Sequence, residues 1–319
     1  MFNHIPVLLE ESIQGLNVDK DKIYVDATIG GGGHSEKILE ILEKGKGILI
    51  GIDQDADAIY ATKNRLKKYI DKNKLIIEKS NFEFIDEVLD KLNIKNVDGA
   101  LFDLGVSSYQ FDEGSRGFSY NKDARLDMRM DRDSELTCER VVNEFSENEI
   151  SDIIEEYGEE RFARNIARKI TLYRKSKRIE TTFELVDIIK SAIPVKFRYG
   201  DGNSKNPAKR TFQALRIYIN RELDVLKSAL DKVVDRLNEN GRLVVITFHS
   251  IEDRIVKEKF KEFESPCTCP KNYPCVCGKK SKGKIVNHKV VVAKSKELEM
   301  NRRAKSAKLR IFERGNNDN

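Results

Sequence analysis

The stretch VDATIGGGGHSEK, residues 25–37, joins an apolar, β-branched segment to a helix-like run through four consecutive glycines, Gly30–Gly33. Because glycine has no Cβ, such a loop lets backbone amides at a helix N-terminus come very close to a bound group. The loop is not a G-x-G-x-x-G, since Ser35 stands where the third glycine would fall, and it is not the G-x-x-x-x-G-K-[ST] of triphosphate cradles. The stretch therefore predicts a strand–loop–helix ligand site of another kind.

Two acidic residues beside the loop narrow the choice of ligand. Asp53 ends the next apolar segment, GILIGIDQD (47–55), at the place where an acidic residue binds a ribose diol in nucleotide-binding sheets. Asp26 directly precedes the glycines, and its carboxylate would repel a pyrophosphate but suit a positively charged ligand. S-adenosylmethionine, with its sulfonium and α-amino group, meets both conditions. The alternative is a simple tight turn in which Asp26 caps a neighbour.

The sequence around the loop predicts an α/β fold. Strand-like and helix-like segments alternate through the first hundred residues, in the order 22–30, 34–44, 47–55, 56–70, 74–81, 84–94 and 97–105. Such alternation with short connections indicates a Rossmann-like, doubly wound and mostly parallel sheet. The pattern resumes late in the chain, with a helix predicted over 212–237 and strands over 241–249 and 306–314.

Between these two parts the alternation stops. Residues 107–212 contain no convincing buried strand and show helical patterns at 146–157, 159–178 and 181–193. We therefore expect one ligand-binding domain made of residues 1–106 and 213–319. An inserted, mainly helical domain of residues 107–212, which is an ordinary size for a domain, would recognise the substrate.

Composition limits the class of protein. The chain has 319 residues, of which 39% are hydrophobic and 35% charged, and its net charge is +5. The hydrophobic share supports a substantial core, and the charged share exceeds the usual quarter. No apolar run approaches the ~20 residues that cross a bilayer, and the N-terminus lacks a signal-peptide pattern. We expect a cytoplasmic protein without a membrane partner, either a monomer or a homodimer.

Basic side chains concentrate in three segments. RFARNIARKITLYRKSKR (161–178) carries eight lysines and arginines, and NSKNPAKR (203–210) and MNRRAKSAKLR (300–310) carry further ones. A single run of charge is usually a solvated surface, whereas three such runs favour phosphate neutralisation on an RNA. The residues expected to contact RNA in the first two segments are Arg161, Arg164, Arg168, Lys175, Lys209 and Arg210.

The segment SRGFSYNKDARLDMRMD (115–131) is too long and polar for a simple turn. We expect it to fold over the entrance of the ligand site and to face the substrate. Arg116 would then contact RNA, and Phe118 or Tyr120 would stack on an exposed base.

Several motifs resemble the RsmH/MraW family along nearly the whole chain. They are HIPVLLEES (4–12), DATIGGGGHS (26–35), DLGVSSYQFD (103–112), SRGFSY (115–120), LDMRMD (126–131), TFQALRIYIN (211–220) and FHSIEDRIVK (248–257). That family comprises S-adenosylmethionine-dependent methyltransferases that modify the 4-amino group of a cytosine in 16S ribosomal RNA, in the decoding centre of the small subunit. The resemblance implies the same fold, cofactor and substrate class here.

The resemblance also implies the cofactor contacts. Phe82 would lie against the adenine and Asp53 would bind the ribose. The complete set is Gly32, Gly33, His34, Asp53, Phe82, Asp103 and Gln110.

Transfer to an amine requires that its lone pair be aimed at the methyl group while acceptors hold its hydrogens, so that positioning supplies much of the acceleration. DLGVSS (103–108) lacks the prolines and the aromatic of the (N/D/S)-P-P-(Y/F) motif of many amino-methyltransferases. We expect Asp103, the hydroxyls of Ser107 and Ser108, or nearby carbonyls to act as acceptors. His249 would approach from the last parallel strand, or would serve only to hold a loop.

The segment PCTCPKNYPCVCG (266–278) spaces four cysteines as C-x-C-x5-C-x-C, at Cys267, Cys269, Cys275 and Cys277. Four thiolates can satisfy tetrahedral Zn²⁺, but the same segment can equally be a redox-sensitive loop. Both alternatives remain open. Cys138, which stands apart, fits an ordinary core or surface position.

Two other functions share parts of this pattern. An NAD-dependent oxidoreductase would also use Gly30–Gly33 and Asp53, but it would not require a basic helical insertion. A non-catalytic RNA-binding assembly factor would require the basic segments, but it would not require an intact glycine loop.

Overall fold

The computed structural model describes residues 6–105, 116–198, 206–270, 272 and 276–315. The chain divides into two compact units, residues 1–105 with 223–319 and residues 106–222. We call them the sheet unit and the insertion.

The predicted boundary after residue 212 is wrong, because the contacts place it after residue 222. The helix predicted over 212–237 is in fact two helices, Lys209–Ile219 and Glu222–Arg236, separated where Arg221 takes a positive φ of 52°. The first of these buries Phe212 and Leu215 in the core of the insertion.

Seven strands form one sheet in the order β3-β2-β1-β4-β5-β7-β6. Strands β1 to β5 are parallel, whereas β7 runs antiparallel to both β5 and β6. The bounds are β1 Ile23–Asp26, β2 Ile48–Asp53, β3 Leu75–Lys79, β4 Val97–Asp103, β5 Leu237–Thr247, β6 Gly283–Ile285 and β7 Lys308–Arg314. The Rossmann-like fold expected from the sequence is confirmed.

The central strands are apolar throughout because helices cover both faces of the parallel sheet. Leu49, Leu101 and Val244 are completely buried in this core. In chain order the helices are α1 Leu9–Leu16, α2 Gly33–Leu42, α3 Ala56–Arg65, α4 Lys67–Ile70, α5 Ile85–Lys91, α6 Cys138–Glu144, α7 Glu147–Gly158, α8 Ala163–Tyr173, α9 Thr182–Ala192, α10 Val195–Arg198, α11 Lys209–Ile219, α12 Glu222–Arg236, α13 Ser250–Glu264 and α14 Ser295–Met300.

The insertion has its own core, formed by the apolar faces of α6 to α9 and α11. Capping boxes begin two of its helices: Ser146 pairs with Glu149 at the start of α7, and Thr181 with Glu184 at the start of α9. Each box satisfies amides that a helix start leaves unpaired. None of the helices in the described ranges is both long and apolar enough to span a membrane.

Candidate functional site

The site lies where the order of the strands reverses. β1 pairs with β2 on one side and with β4 on the other, so the connections leave it in opposite directions. Open α/β sheets bind ligands at the carboxyl ends of the strands beside such a point. Here each of these three strands ends in an aspartate: Asp26 on β1, Asp53 on β2 and Asp103 on β4.

The glycine loop connects β1 to α2, and its shape depends on two of its glycines. Gly32 precedes the first residue of α2 with φ at +75°, a left-handed conformation that side chains disfavour. A Cβ on Gly33 would lie 2.3 Å from Cγ of Pro6, so the N-terminal segment packs directly against the loop. Glycine at these positions therefore serves loop geometry and close packing.

Hydrogen bonds from neighbouring elements fix the loop. Asp53 Oδ2 accepts from the Gly30 amide at 2.9 Å. On α3, the hydroxyl of Thr62 donates to the Gly30 carbonyl, and the guanidinium of Arg65 donates to the Gly31 carbonyl at 2.9 Å. The loop is thus held through both its amides and its carbonyls.

Asp26 is 2% exposed, and its carboxylate forms hydrogen bonds with residues of the segment that follows β1. Its Oδ2 accepts from the Ser35 hydroxyl at 2.6 Å, and its Oδ1 accepts from the Thr28 amide at 3.2 Å. Burial raises the pKa of Asp26 to about 6 despite these two bonds. Burial also raises the pKa of Asp53 to about 6, although the Asp55 and Gly30 amides donate to it.

Asp103 is the most perturbed of the three aspartates. Its amide donates to Thr28 Oγ1 at 2.7 Å, which ties the end of β4 to the glycine loop. Its Oδ1 atom is buried and has no hydrogen-bond partner in the part of the chain that the structure describes. Burial, together with the charges of Asp26 and Glu252, raises the pKa of Asp103 to about 8. A buried acceptor of this kind is suited to a ligand that brings a donor or a positive charge.

His34 connects Asp103 to the N-terminal segment. The imidazole is buried, and its Nε2 lies 3.0 Å from the Val7 carbonyl, to which it donates because a carbonyl can only accept. Its Nδ1 lies 3.6 Å from Oδ2 of Asp103. That contact is attractive only when a proton lies on Nδ1 or on the Asp103 carboxyl group.

Phe82 lies beyond the carboxyl end of β3, within the short helical turn Phe82–Phe84. Its ring is partly exposed and meets the Phe102 ring edge-on, with centroids 5.4 Å apart. The position next to β2 and Asp53 is compatible with the predicted contact to an adenine.

His249 caps the N-terminus of α13. Its Nδ1 accepts from the Glu252 amide at 3.4 Å, and its Nε2 lies 2.9 Å from Oε1 of Glu252. Glu252 in turn accepts from the His249 amide at 3.3 Å, which completes a capping box. This geometry favours the loop-holding alternative for His249 over a role in catalysis.

Two predicted RNA contacts are wrong. Phe118 is 5% exposed and belongs to the core of the insertion, so its ring is not available to a base. Arg116 is 2% exposed, and its guanidinium donates to the carbonyls of Arg129 and Met130. Tyr120 is partly buried against Phe212. Ser107, Ser108 and Gln110 lie outside the described residues.

The other six predicted RNA contacts are exposed, although not all of them lie on one helix. Arg164 and Arg168 are one turn apart on α8, whereas Arg161 precedes that helix and Lys175 follows it. Lys209 and Arg210 begin α11, and Arg210 also donates to the Glu159 carbonyl at 2.8 Å. Arg161 stacks on the Phe197 ring, with its guanidinium carbon 3.8 Å from the ring centroid.

Sequence reasoning missed the residues that support the site. Thr28 and Ser35 form hydrogen bonds with Asp103 and Asp26. Thr62 and Arg65 donate to carbonyls of the glycine loop. The charge of Glu252 raises the pKa of Asp103. Ser35, nine residues after Asp26, had a detectable signal, because it falls in the first turn of the helix that follows the glycines. Thr62 and Arg65 had none, since contact with the loop depends on how α3 packs.

Three carboxyl groups around one glycine loop define the chemistry that the site allows. Burial raises the pKa of all three, and for Asp53 and Asp103 the charges of neighbouring carboxylates add to it, so a positively charged ligand would stabilise their ionised forms. A dinucleotide would instead bring a negatively charged pyrophosphate to the same place, which argues against an oxidoreductase.

The whole chain resembles known methylases. Residues 1–315 match the model of the MraW methylase family. The "Ribosomal RNA small subunit methyltransferase H" of Lachnospira eligens is 56% identical over 314 residues, covering 98% of each chain. The protein of the same name from Clostridium botulinum is 55% identical over 311 residues, covering 97% of this chain and 98% of its own. An rRNA methylase structure from Streptococcus thermophilus is 11% identical with a TM-score of 0.43, covering 99% of this chain and 100% of its own. The chain belongs to the MraW methylase family.

Proposed function

We propose that the protein transfers a methyl group from S-adenosylmethionine to the 4-amino group of a cytidine in 16S ribosomal RNA, and that it works in the cytoplasm. The observation that carries the proposal is the buried Oδ1 of Asp103, an acceptor without a partner in the described residues. It lies at the carboxyl end of β4, beside the point where the order of the strands reverses. The names of the curated relatives support ribosomal RNA as the substrate. The resemblance to the RsmH/MraW family supports the 4-amino group of cytosine as the methyl acceptor.

The residues present fit this cofactor. Asp26, Asp53 and Asp103 match its positive sulfonium and α-ammonium groups. Each oxygen of Asp53 accepts one backbone amide and keeps a second lone pair, which can accept from a ribose hydroxyl. The complete proposed set is Gly32, Gly33, His34, Asp53, Phe82 and Asp103, with Gln110 carried by the resemblance alone.

The acceptor amine is a weak nucleophile because its lone pair is delocalised into the cytosine ring. Bound S-adenosylmethionine supplies an electrophilic methyl group on a positively charged sulfur. Asp103 in its ionised form would accept one amine hydrogen through Oδ1, which orients the lone pair. When the new N–C bond forms, the methyl–sulfur bond would break with S-adenosylhomocysteine as the leaving group. The nitrogen would then be positive, and the carboxylate would take the proton that the product amine must lose. Thr28 fixes the backbone at Asp103, and His34 faces its other oxygen.

The segment that supplies the glycine loop and the three aspartates contributes no thiol, which supports an amine acceptor over cytosine carbon 5. Methylation at carbon 5 requires a nucleophile that adds to the ring, a task that cysteine performs well. Residues 6–105, which supply the glycine loop and all three aspartates, contain no cysteine. Cys138 is completely buried in the insertion.

We assign RNA binding to the exposed basic residues of the insertion. Phosphate neutralisation requires exposed cations, and these side chains supply them on several elements. The proposed contacts are Arg161, Arg164, Arg168, Lys175, Lys209 and Arg210.

Mass spectrometry of nucleosides from small-subunit RNA tests the proposal. RNA from cells that lack the protein should have lost one N(4)-methylated cytidine, and the wild-type protein should restore it while Asp103→Asn does not. A lost methyl group on carbon 5 or on a ribose would refute the proposal. Methyl transfer to small-subunit RNA by the purified protein would identify an enzyme, whereas a non-catalytic assembly factor would bind the RNA without methylating it.

A further inference from the structure

We propose that Cys267, Cys269 and Cys277 bind a Zn²⁺ ion that folds the loop between α13 and β6. The sulfur atoms of these three residues all lie within 4.8 Å of one another. Cys267 and Cys269 form the first C-x-C pair, and Cys277 belongs to the second. The sulfur atoms of the two pairs are therefore close together although residues 270–276 separate Cys269 from Cys277. The fourth cysteine of the segment, Cys275, lies outside the described residues.

The separation of the sulfur atoms favours a mononuclear tetrahedral site. Zn²⁺ binds thiolates at about 2.3 Å, so tetrahedral geometry places two ligand sulfurs about 3.8 Å apart. Sulfurs within 4.8 Å reach that arrangement with small side-chain movements. The cysteines of a [4Fe–4S] cluster must stand farther apart, because each one binds a different iron. A redox-inert, thiol-binding ion is therefore the best match.

Apolar packing does not hold the described part of this loop together. None of the described residues between 265 and 282 is buried, and Val276 is 88% exposed. The described part of this loop also contains no helix or strand. Long loops without internal structure are uncommon in compact domains unless they have a function. A metal ion supplies the cross-link that an apolar core would otherwise provide.

The ends of the loop are already fixed. The Phe263 carbonyl accepts from the Lys282 amide at 2.8 Å, and Glu264 accepts from the Ile285 amide at 2.7 Å. The loop thus leaves α13 and returns beside it. Gly278, immediately after Cys277, turns the chain through a left-handed φ of 62°. An ion needs only to close the outer part of a loop whose base is in place.

The charges around the site balance a thiolate–metal centre. Three thiolates and one Zn²⁺ leave a charge of −1. Lys279, Lys280 and Lys282 follow the last cysteine, and Lys282 also pairs with Asp235 at 2.6 Å.

Metal analysis of protein purified without chelators tests the site. We expect about one zinc per chain in the wild type, and loss of most of it in Cys269→Ser and in Cys277→Ser. Cys138→Ala is the matched control, since that cysteine lies in the core of the insertion and should not affect zinc content. The cobalt-loaded protein should give the intense visible absorption of tetrahedral thiolate coordination.

Limited proteolysis gives a second readout that is independent of methyl transfer. Removal of zinc by a chelator should accelerate cleavage within residues 265–282, while circular dichroism shows that the sheet unit remains folded. Three results would overturn the proposal: no binding of zinc or cobalt, iron in place of zinc, or two fewer titratable thiols in the metal-free protein, which would indicate a disulfide. Failure of methyl transfer would leave these measurements unaffected.

Discussion

Asp53 on β2 accepts a hydrogen bond from the amide of Gly30, the first glycine of the loop that follows β1, at 2.9 Å. The residue expected to bind a ribose therefore also fixes the loop against which the rest of the cofactor would lie. Its other oxygen accepts from the Asp55 amide at 2.9 Å, which shapes the start of α3. Loop geometry and ligand binding are consequently coupled through one carboxylate.

Replacing Asp53 should affect stability and cofactor binding together. Asp53→Ala leaves the Gly30 amide without its acceptor, and we expect a loss of about 1–3 kcal/mol in unfolding free energy. Affinity for S-adenosylmethionine should fall at least about tenfold, or about 1.4 kcal/mol. Thermal unfolding and calorimetric titration measure the two effects. The control is Asp71→Ala, an exposed aspartate at the end of α4. Unchanged affinity in Asp53→Ala would contradict the coupling.

Asp103→Asn should remove catalysis while preserving the fold. The substitution keeps the shape of the side chain but cannot take a proton from the amine, so we expect turnover to fall by about 10²–10⁴-fold. Single-turnover transfer of a labelled methyl group to small-subunit particles measures the loss, and titration with S-adenosylmethionine separates it from weakened binding. Near-normal turnover with intact cofactor affinity would exclude Asp103 from the reaction.

Cofactor affinity should depend on pH in a defined direction. Raised pKa values of about 6 for Asp26 and Asp53, and of about 8 for Asp103, mean that the free site holds protons that a cationic ligand must displace. Binding of S-adenosylmethionine should therefore release protons and strengthen as pH rises from 6 to 8. S-adenosylhomocysteine lacks the sulfonium charge and should show a smaller increase. Equal pH dependence of the two ligands would contradict this electrostatic account.

His249 should tolerate replacement by another capping residue. His249→Asn retains an acceptor for the Glu252 amide and should remain close to wild type in stability, while His249→Ala should lose about 1 kcal/mol. Thermal unfolding compares the variants, and turnover per folded molecule should be normal in both. A large loss of turnover in both variants at unchanged melting temperature would instead indicate a direct role in the reaction.

Arg164 and Arg168 should contribute to RNA affinity but not to cofactor binding. Replacing both with alanine removes two exposed cations from α8, so the slope of log affinity against log salt should decrease in magnitude by about 2. Filter binding of small-subunit RNA at several salt concentrations measures the slope. Lys190→Ala, which removes an exposed cation from α9, is the control. An unchanged slope in the double variant would remove α8 from the RNA surface.

The strands of the sheet were predictable because buried parallel strands are short apolar runs bounded by turn residues. The aspartates at the ends of β1, β2 and β4 could be placed for the same reason. β6 could not be predicted, since none of its three residues is buried and they pair with β7 alone.

The segment after Arg116 shows why the substrate-facing residues were misplaced. Its polar composition suggested a surface loop, yet Asn220 accepts from the Met130 amide at 2.8 Å and donates to the Met128 carbonyl at 2.9 Å. These bonds join residues about ninety positions apart and draw the segment into the core of the insertion. Such distant pairing leaves no local periodicity in the sequence.

The order of strands at one edge of the sheet makes the attachment of β6 indirect. β6 precedes β7 along the chain, but it joins the sheet through β7, which pairs with β5. The Lys282 amide that closes the cysteine loop lies directly before β6. On this side, the base of the cysteine loop is therefore joined to the sheet through β7, a strand that the chain supplies only after the loop itself.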